Sequence, residues 1–219
     1  MHPFAYHSAE SIADAVRHLA EAGAAPLGGG TDLLVLIEEG LATPTALVDL
    51  RRVPGARGVT TESDGGLRIG AATRVNDLAQ HAMIREQFPV LAQACEAVGT
   101  PALRNMGTIG GNLCQRPRCW YFRRSVRCHK NGGDSCPAVP GENQYLAILG
   151  GGPCYIVHPS DPAVALMALD ARVEVTAPGG SRWVDMADLY VLPRQRMDHE
   201  TVLQSHEFVT AIVLPPEAA

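Results

Sequence analysis

Four cysteines, Cys119, Cys128, Cys136 and Cys154, fall within one irregular stretch of this 219-residue chain. Four thiolates are the donor set of a cubane iron–sulfur cluster or of a structural zinc. Their gaps contain no C-x-x-C pair, as a zinc ribbon would, and match no ferredoxin spacing, so spacing alone leaves the metal open. Arg116, Arg118, Arg123, Arg124, Arg127 and Lys130 crowd the same region, and residues 116–130 hold no acid. An anionic cluster is costly to bury unless cations offset it; the same cations would equally suit a partner surface or solvent. Of the other two cysteines, Cys95 sits in an apolar helical pattern and reads as core, and Cys114 reads as a buried thiol.

Two glycine-rich segments carry a second kind of chemistry. Residues 28–33 (GGGTDL) follow a short apolar strand that ends at Leu27. Glycines let backbone amides turn toward one point, and Thr31 adds a hydroxyl, a combination suited to pyrophosphate. The spacing is neither G-x-G-x-x-G nor a Walker loop. A Cβ at Gly29 is expected to crowd an approaching phosphate. Residues 104–112 (RNMGTIGGN) read as a second turn, with Gly107, Gly110 and Gly111 around Thr108 and before Asn112. Either segment alone also suits a plain tight turn; two of them can clamp a long dinucleotide from both sides.

The elements that must position these groups alternate in type. Ile12, Ala15, Val16 and Leu19 have helical spacing within 9–22, and Gly23 ends that helix. Residues 46–50, 67–72, 155–158, 172–176 and 207–214 read as strands. Helices are expected over 75–82, 89–98 and about 161–169. Residues 99–154 hold five of the six cysteines and little regular period, as in a loop ordered by a ligand. The pattern is α+β in two lobes with a break near residue 55. A net charge of −5 excludes a general nucleic-acid binder. The N-terminus has no signal-peptide pattern and no run of about 18 apolar residues occurs, so a cytoplasmic protein without a membrane span is expected, with export through a partner's signal as the alternative. His7, His18, His81, His129, His158, His199 and His206 read as scattered surface or core residues, and no Ser/His/Asp set is present.

From about residue 3 to residue 216 the chain resembles the FAD-binding subunits of molybdenum hydroxylases of the xanthine dehydrogenase type. GGGTDL looks like their first FAD loop and RNMGTIGGNL like their second. SDPAVALMALDARVEV, from residue 160, looks like a third characteristic stretch that places Ser160 and Asp161 near the flavin. The resemblance implies an α+β, two-lobed FAD-binding domain of the vanillyl-alcohol oxidase and CO dehydrogenase flavoprotein type. Its lobes would be residues 1–55 and 56–219, with an insert at about 115–154. It implies FAD held by Leu27, Gly28, Gly29, Gly30, Thr31, Asp32, Leu33, Thr108, Gly111, Asn112, Ser160 and Asp161. The stretch from QRPRC through CHK and SCPAV to PCYIVHPSD is similar to a subgroup with an additional [4Fe–4S] cluster, including a bacterial aldehyde oxidoreductase and 4-hydroxybenzoyl-CoA reductase. That likeness assigns the cluster to Cys119, Cys128, Cys136 and Cys154.

The implied role is electron transfer from iron–sulfur centres through FAD to an acceptor, in complex with a large molybdenum-cofactor subunit and a small [2Fe–2S] subunit. No activity on substrate alone is expected. The usual C-terminal domain of about 100 residues is absent from the pattern. A self-contained flavin oxidase of the same fold, or a non-redox assembly module, are the alternatives. The loop at 28–33 is expected to lie in a different lobe from the cysteines and to be independent of them.

Overall fold

A computed structural model describes residues 2–216; the last three residues of the expected second lobe lie outside them. Three short strands form the first sheet: β1 (Ala5–Ser8), β2 (Ala24–Leu27) and β3 (Ala46–Asp49). They are parallel in the order β1-β3-β2, so the most apolar run, Ala46-Leu47-Val48, takes the middle. All four β3 residues are buried, as expected of a parallel strand covered on both faces. Helix α1 (Ile12–Leu19) joins β1 to β2 and turns Ala15 and Leu19 inward. Its Ser11 cap accepts the Asp14 amide, and Gly23, at φ +81°, makes the turn into β2. Helix α2 (Leu33–Glu38) leads from the first glycine loop toward β3.

The second sheet is antiparallel and five-stranded. It comprises β4 (Val59–Thr61), β5 (Leu67–Gly70), β6 (Arg172–Ala177), β7 (Gly180–Asp185) and β8 (Phe208–Leu214), in the order β4-β5-β8-β6-β7. Helices α3 (Val75–Gln80), α4 (Ala82–Gln87), α5 (Pro89–Ala97) and α9 (Asp161–Ala168) cover it. Leu67, Ile69, Leu78, Leu91, Leu166 and Ile212 anchor the shared core and are essentially inaccessible. Cys95 is fully buried in this core.

Two expectations are corrected. Residues 104–112 are not one open turn: α6 (Pro101–Met106) precedes Gly107 and Thr108, and α7 (Ile109–Leu113) follows. Pro101 at the first helical position and the Thr100 and Thr108 caps account for both short helices. Residues 155–158 are not a strand; their one backbone bond outward is from the Ala147 amide to Tyr155. β1, β4, β7, α4, α6 and the one-turn α8 (Trp120–Arg123) lacked a sequence signal strong enough to be anticipated.

Candidate functional site

The two glycine loops pack directly on each other. A Cβ on Gly29 would lie 1.9 Å from the Met106 carbonyl oxygen and 2.8 Å from Gly107 Cα. A Cβ on Gly28 would lie 2.4 Å from Thr108 Oγ1. The approach of the second loop therefore demands glycine at position 29. The second loop is itself sewn to the exit of β5. The amides of Val75, Ile109 and Gly110 bond the carbonyls of Gly107, Thr73 and Ala71, each at 2.9 Å. Gly30 has φ +75°, the left-handed geometry that turns the chain into α2.

This packing leaves a row of donors without a protein acceptor. Among the described residues, none of the amides of Gly28 to Asp32 is taken by a protein acceptor. A cavity of about 300 Å³ is lined by Gly28 to Leu33, Thr108, Gly111, Cys114 and Gln115. A second, of about 250 Å³, shares Thr31, Asp32, Thr108 and Gly111 and adds Asn112, Arg118 and Asp161. A third, of about 130 Å³, runs from Gly28, Thr108 and Gly111 to the apolar wall of Leu50, Ala71 and Phe208. Thr108 and Gly111 border all three, so the three cavities cluster around the second glycine loop. Unpaired backbone donors in a glycine cradle, opening on an apolar slot, fit a pyrophosphate joined to an aromatic ring system.

The third expected segment arrives at the same place. Ser160 Oγ donates to Asn112 Oδ1 at 2.6 Å and accepts the Ala163 amide, capping α9. Ser160 is buried and holds Asn112 in position; Asp161 lies on the cavity wall. Leu27 also supports from behind, packed with Ile37 and Leu47. Cys114, expected as a buried or flavin-adjacent thiol, lies on this wall. It has accessible surface yet is surrounded by protein, which pushes its thiol up to about 12.

Asp32 does more than border the cavity. Its Oδ2 accepts the Arg116 amide at 2.9 Å, and its Oδ1 takes Arg123 Nη2 at 2.7 Å. The first loop is thus tied to the cysteine segment, and the expected independence of the two is corrected. Glu200 makes a second tie, 2.6 Å from Lys130 Nζ and 2.7 Å from Arg116 Nε. The Lys130 side chain is 1% exposed. Arg116, Arg123 and Lys130 therefore answer acids of the body, which is why they are not all available to offset a cluster.

Of the four expected metal ligands, Cys128 and Cys154 are buried, and Cys119 and Cys136 are half-buried. Burial raises the Cys154 thiol; Lys130 lowers it, and the charges of Cys136 and Cys119 act on it as near neighbours. A tetrahedral mononuclear site, with bonds of about 2.3 Å, needs sulfurs about 4 Å apart. Among the described residues no three cysteine sulfurs lie within 4.8 Å of one another. His158 packs on Tyr190 with ring centroids 4.3 Å apart, and burial lowers its pKa. His7 and His18, expected to be unrelated, stack at 3.9 Å beside Glu21. Their near-parallel planes, 14° apart, keep the in-plane lone pairs of the two rings from converging on one ion.

Paired glycine loops with unpaired amides, bordering cavities that share Thr108 and Gly111, fit a flavin-binding domain. The chain belongs to the family of the FAD binding domain in molybdopterin dehydrogenase, whose model matches residues 2–217. It is 40% identical over 198 residues to the aldehyde oxidoreductase FAD-binding subunit PaoB of Escherichia coli K12, covering 89% of this chain and 62% of that protein. It is 28% identical over 205 residues to a xanthine dehydrogenase FAD-binding subunit of Escherichia coli O157:H7, covering 93% and 56% respectively. The structure of carbon monoxide dehydrogenase from Hydrogenophaga pseudoflava superposes with a TM-score of 0.71 at 26% identity, covering all of this chain and 62% of that one. The chain thus spans about three fifths of the length of these relatives. No helix among the described residues is long and apolar enough to cross a membrane.

Proposed function

We propose that this chain is the FAD-binding, electron-transferring portion of a molybdenum-containing hydroxylase, relaying electrons from iron–sulfur centres to an acceptor and inactive on substrate alone. The observation that carries this reading is the run of unpaired amides at Gly28 to Asp32 on a cavity wall shared with Thr108 and Gly111. The FAD pyrophosphate is assigned to that run and to the Thr31 hydroxyl, with Thr108, Asn112 and Asp161 along the second cavity and Leu33 at the margin of the first. Bound FAD would supply the exchange between two-electron and one-electron chemistry. The protein's part is to hold and orient it and to keep the apolar slot dry.

Cys119, Cys128, Cys136 and Cys154 are assigned to one [4Fe–4S] cluster. The support is their gathering in a segment almost without regular structure after Arg123, and the mutual influence of three of them. A large molybdenum-cofactor subunit and a small [2Fe–2S] subunit are the expected partners. Ile148 and Leu149, 94% and 85% exposed beside Tyr145, offer apolar surface for such an assembly. A division into lobes near residue 55 and a cytoplasmic location complete the reading.

The test is cofactor analysis of the protein purified anaerobically with its partners. Heat-released flavin should run as FAD, and about four iron and four sulfide per chain should be present beyond the partners' share. Release of FMN would overturn the flavin assignment. One zinc without sulfide would replace the cluster. Serine at any of the four cysteines should lose iron, and serine at Cys95 or Cys114 should not.

A further inference from the structure

The cysteine segment and the first glycine loop share a boundary made by one carboxylate. Asp32 is the last residue before α2, and both of its oxygens point away from its own loop. One accepts the amide of Arg116, the other the guanidinium of Arg123. The side chains of Arg123 and Asp32 are only 13% and 14% exposed, so this pair is largely shielded from water. Arg123 spends further donors on the same short stretch: Nε bonds the Pro117 carbonyl at 2.8 Å and Nη2 the Arg116 carbonyl at 2.9 Å. One guanidinium therefore fixes residues 116 and 117 to each other and to the glycine loop.

The ties continue inward. Arg116 and Arg123 lie over the ring of buried Phe122, at 5.1 and 5.8 Å. The Phe122 carbonyl accepts from Asn131 Nδ2, and the Asn131 amide bonds the Cys128 carbonyl. A continuous chain of contacts thus leads from Asp32 to the backbone of Cys128. Meanwhile Gln115 and Arg116 share a cavity wall with Gly28 to Leu33, and Gln115 and Arg118 share a second with Thr31 and Asp32. A ligand in this space touches both segments at once.

We propose that Asp32 is a positioning residue that couples the dinucleotide cavity to the cysteine segment, so that filling the cavity orders residues 115–133 and order there tightens the cavity. Coupling of this kind is reciprocal. A buried pair stripped of one partner leaves the other charge stranded, which is how a single substitution loosens both sides. The inference rests on the assignment of FAD to the cavity. It needs no metal, because the contact chain is made by protein groups alone.

The experiment is hydrogen exchange, read by mass spectrometry, on the full-length protein stripped of flavin and then titrated with FAD. In the wild type, FAD should slow exchange in residues 115–133 as well as at Gly28 to Gly30. In Asp32→Asn and in Arg123→Gln, the FAD-linked slowing at 115–133 should fall by about tenfold or more, and FAD should bind about tenfold more weakly, the ordinary size of a lost charge-assisted hydrogen bond. The FAD-linked slowing at Gly28 to Gly30 should persist in both. Arg123→Lys, which keeps the charge opposite Asp32 but loses the fork, should restore part of the coupling. A purely structural role would raise exchange in the variants with or without FAD and leave the FAD-linked difference intact, which would overturn the proposal. Binding of FAD to the wild type with no slowing at 115–133 would also overturn it while leaving the flavin assignment standing. Absence of flavin fluorescence quenching at any FAD concentration would sink both.

Discussion

Replacing Gly29 by alanine adds one carbon at the most crowded point between the two glycine loops. That carbon would sit 1.9 Å from the Met106 carbonyl oxygen and 2.5 Å from its carbon. Carbon–oxygen contacts seldom close below about 3.3 Å, so the loops must part by more than about 1 Å. Neither neighbour is a side chain that can swing aside. The cost should reach the upper end of overpacking, about 3 kcal/mol. At about 2–4 °C per kcal/mol for a chain of this size, the midpoint of thermal unfolding should drop by about 6–12 °C. FAD affinity should fall with it, because the parted loops no longer aim the amides of Gly28 to Asp32 at one point. Gly111→Ala is the comparison. Its Cβ would meet only Thr108 Oγ1, at 3.0 Å, and alanine favours the α7 helix. It should leave the unfolding midpoint nearly unchanged and weaken FAD alone, since Gly111 borders all three cavities. Differential scanning calorimetry with flavin titration measures both quantities. A Gly29→Ala protein melting within about 2 °C of the wild type would refute the close packing of the loops.

Ser160→Ala removes both the α9 cap and the 2.6 Å bond to Asn112, and should cost about 1–2 kcal/mol in urea unfolding with a weaker FAD complex. Asp49 supplies a pH signature. Burial alone would raise its pKa, but the Arg51 guanidinium and amide, with Tyr6 Oη, outweigh burial and hold it at about 2 against 3.8. The folded state therefore gains stability from Asp49 above about pH 4 and loses it as pH falls through 2, about 2 kcal/mol in all. Asp49→Asn should flatten the urea midpoint between pH 4 and pH 2 relative to the wild type; parallel curves would reject the assignment.

Local pattern carried the parts of this molecule that are decided locally. Gly28 to Gly30 follow an apolar strand, so their turn was legible, whereas the short helix α2 after them was not anticipated. So was α9, with Pro162 and a capping serine at its start. The resemblance placed Asn112 and Ser160 separately near the flavin, and their direct hydrogen bond is seen only in the structure. What stayed hidden depends on partners distant in sequence. Asp32 reads as a cavity residue until Arg116 and Arg123, more than 80 residues away, are placed against it. The crowded cations read as a field for a cluster until Asp32 and Glu200 are seen to claim three of them. Gly29 reads as a phosphate cradle because a glycine's missing side chain says nothing about which neighbour needed the room. Residues 155–158 have strand composition but no strand beside them to pair with.

β8 occupies the middle of the five-stranded sheet although it comes from the far end of the described chain. Ile212 stands opposite Ile69 of β5 on one side and Val173 of β6 on the other. The parallel sheet, by contrast, is complete by Asp49. On a ribosome the two halves must therefore mature at very different times. The first can pair its strands early, although its core is completed only by Phe208, whereas β5, paired with β4 on one side, must wait for almost 150 further residues for β8 on the other. Until then β5 and β6 each present an open edge, with Leu67, Ile69, Val173 and Val175 uncovered. Closing so distant a pair is slow, and an exposed edge invites pairing with other chains.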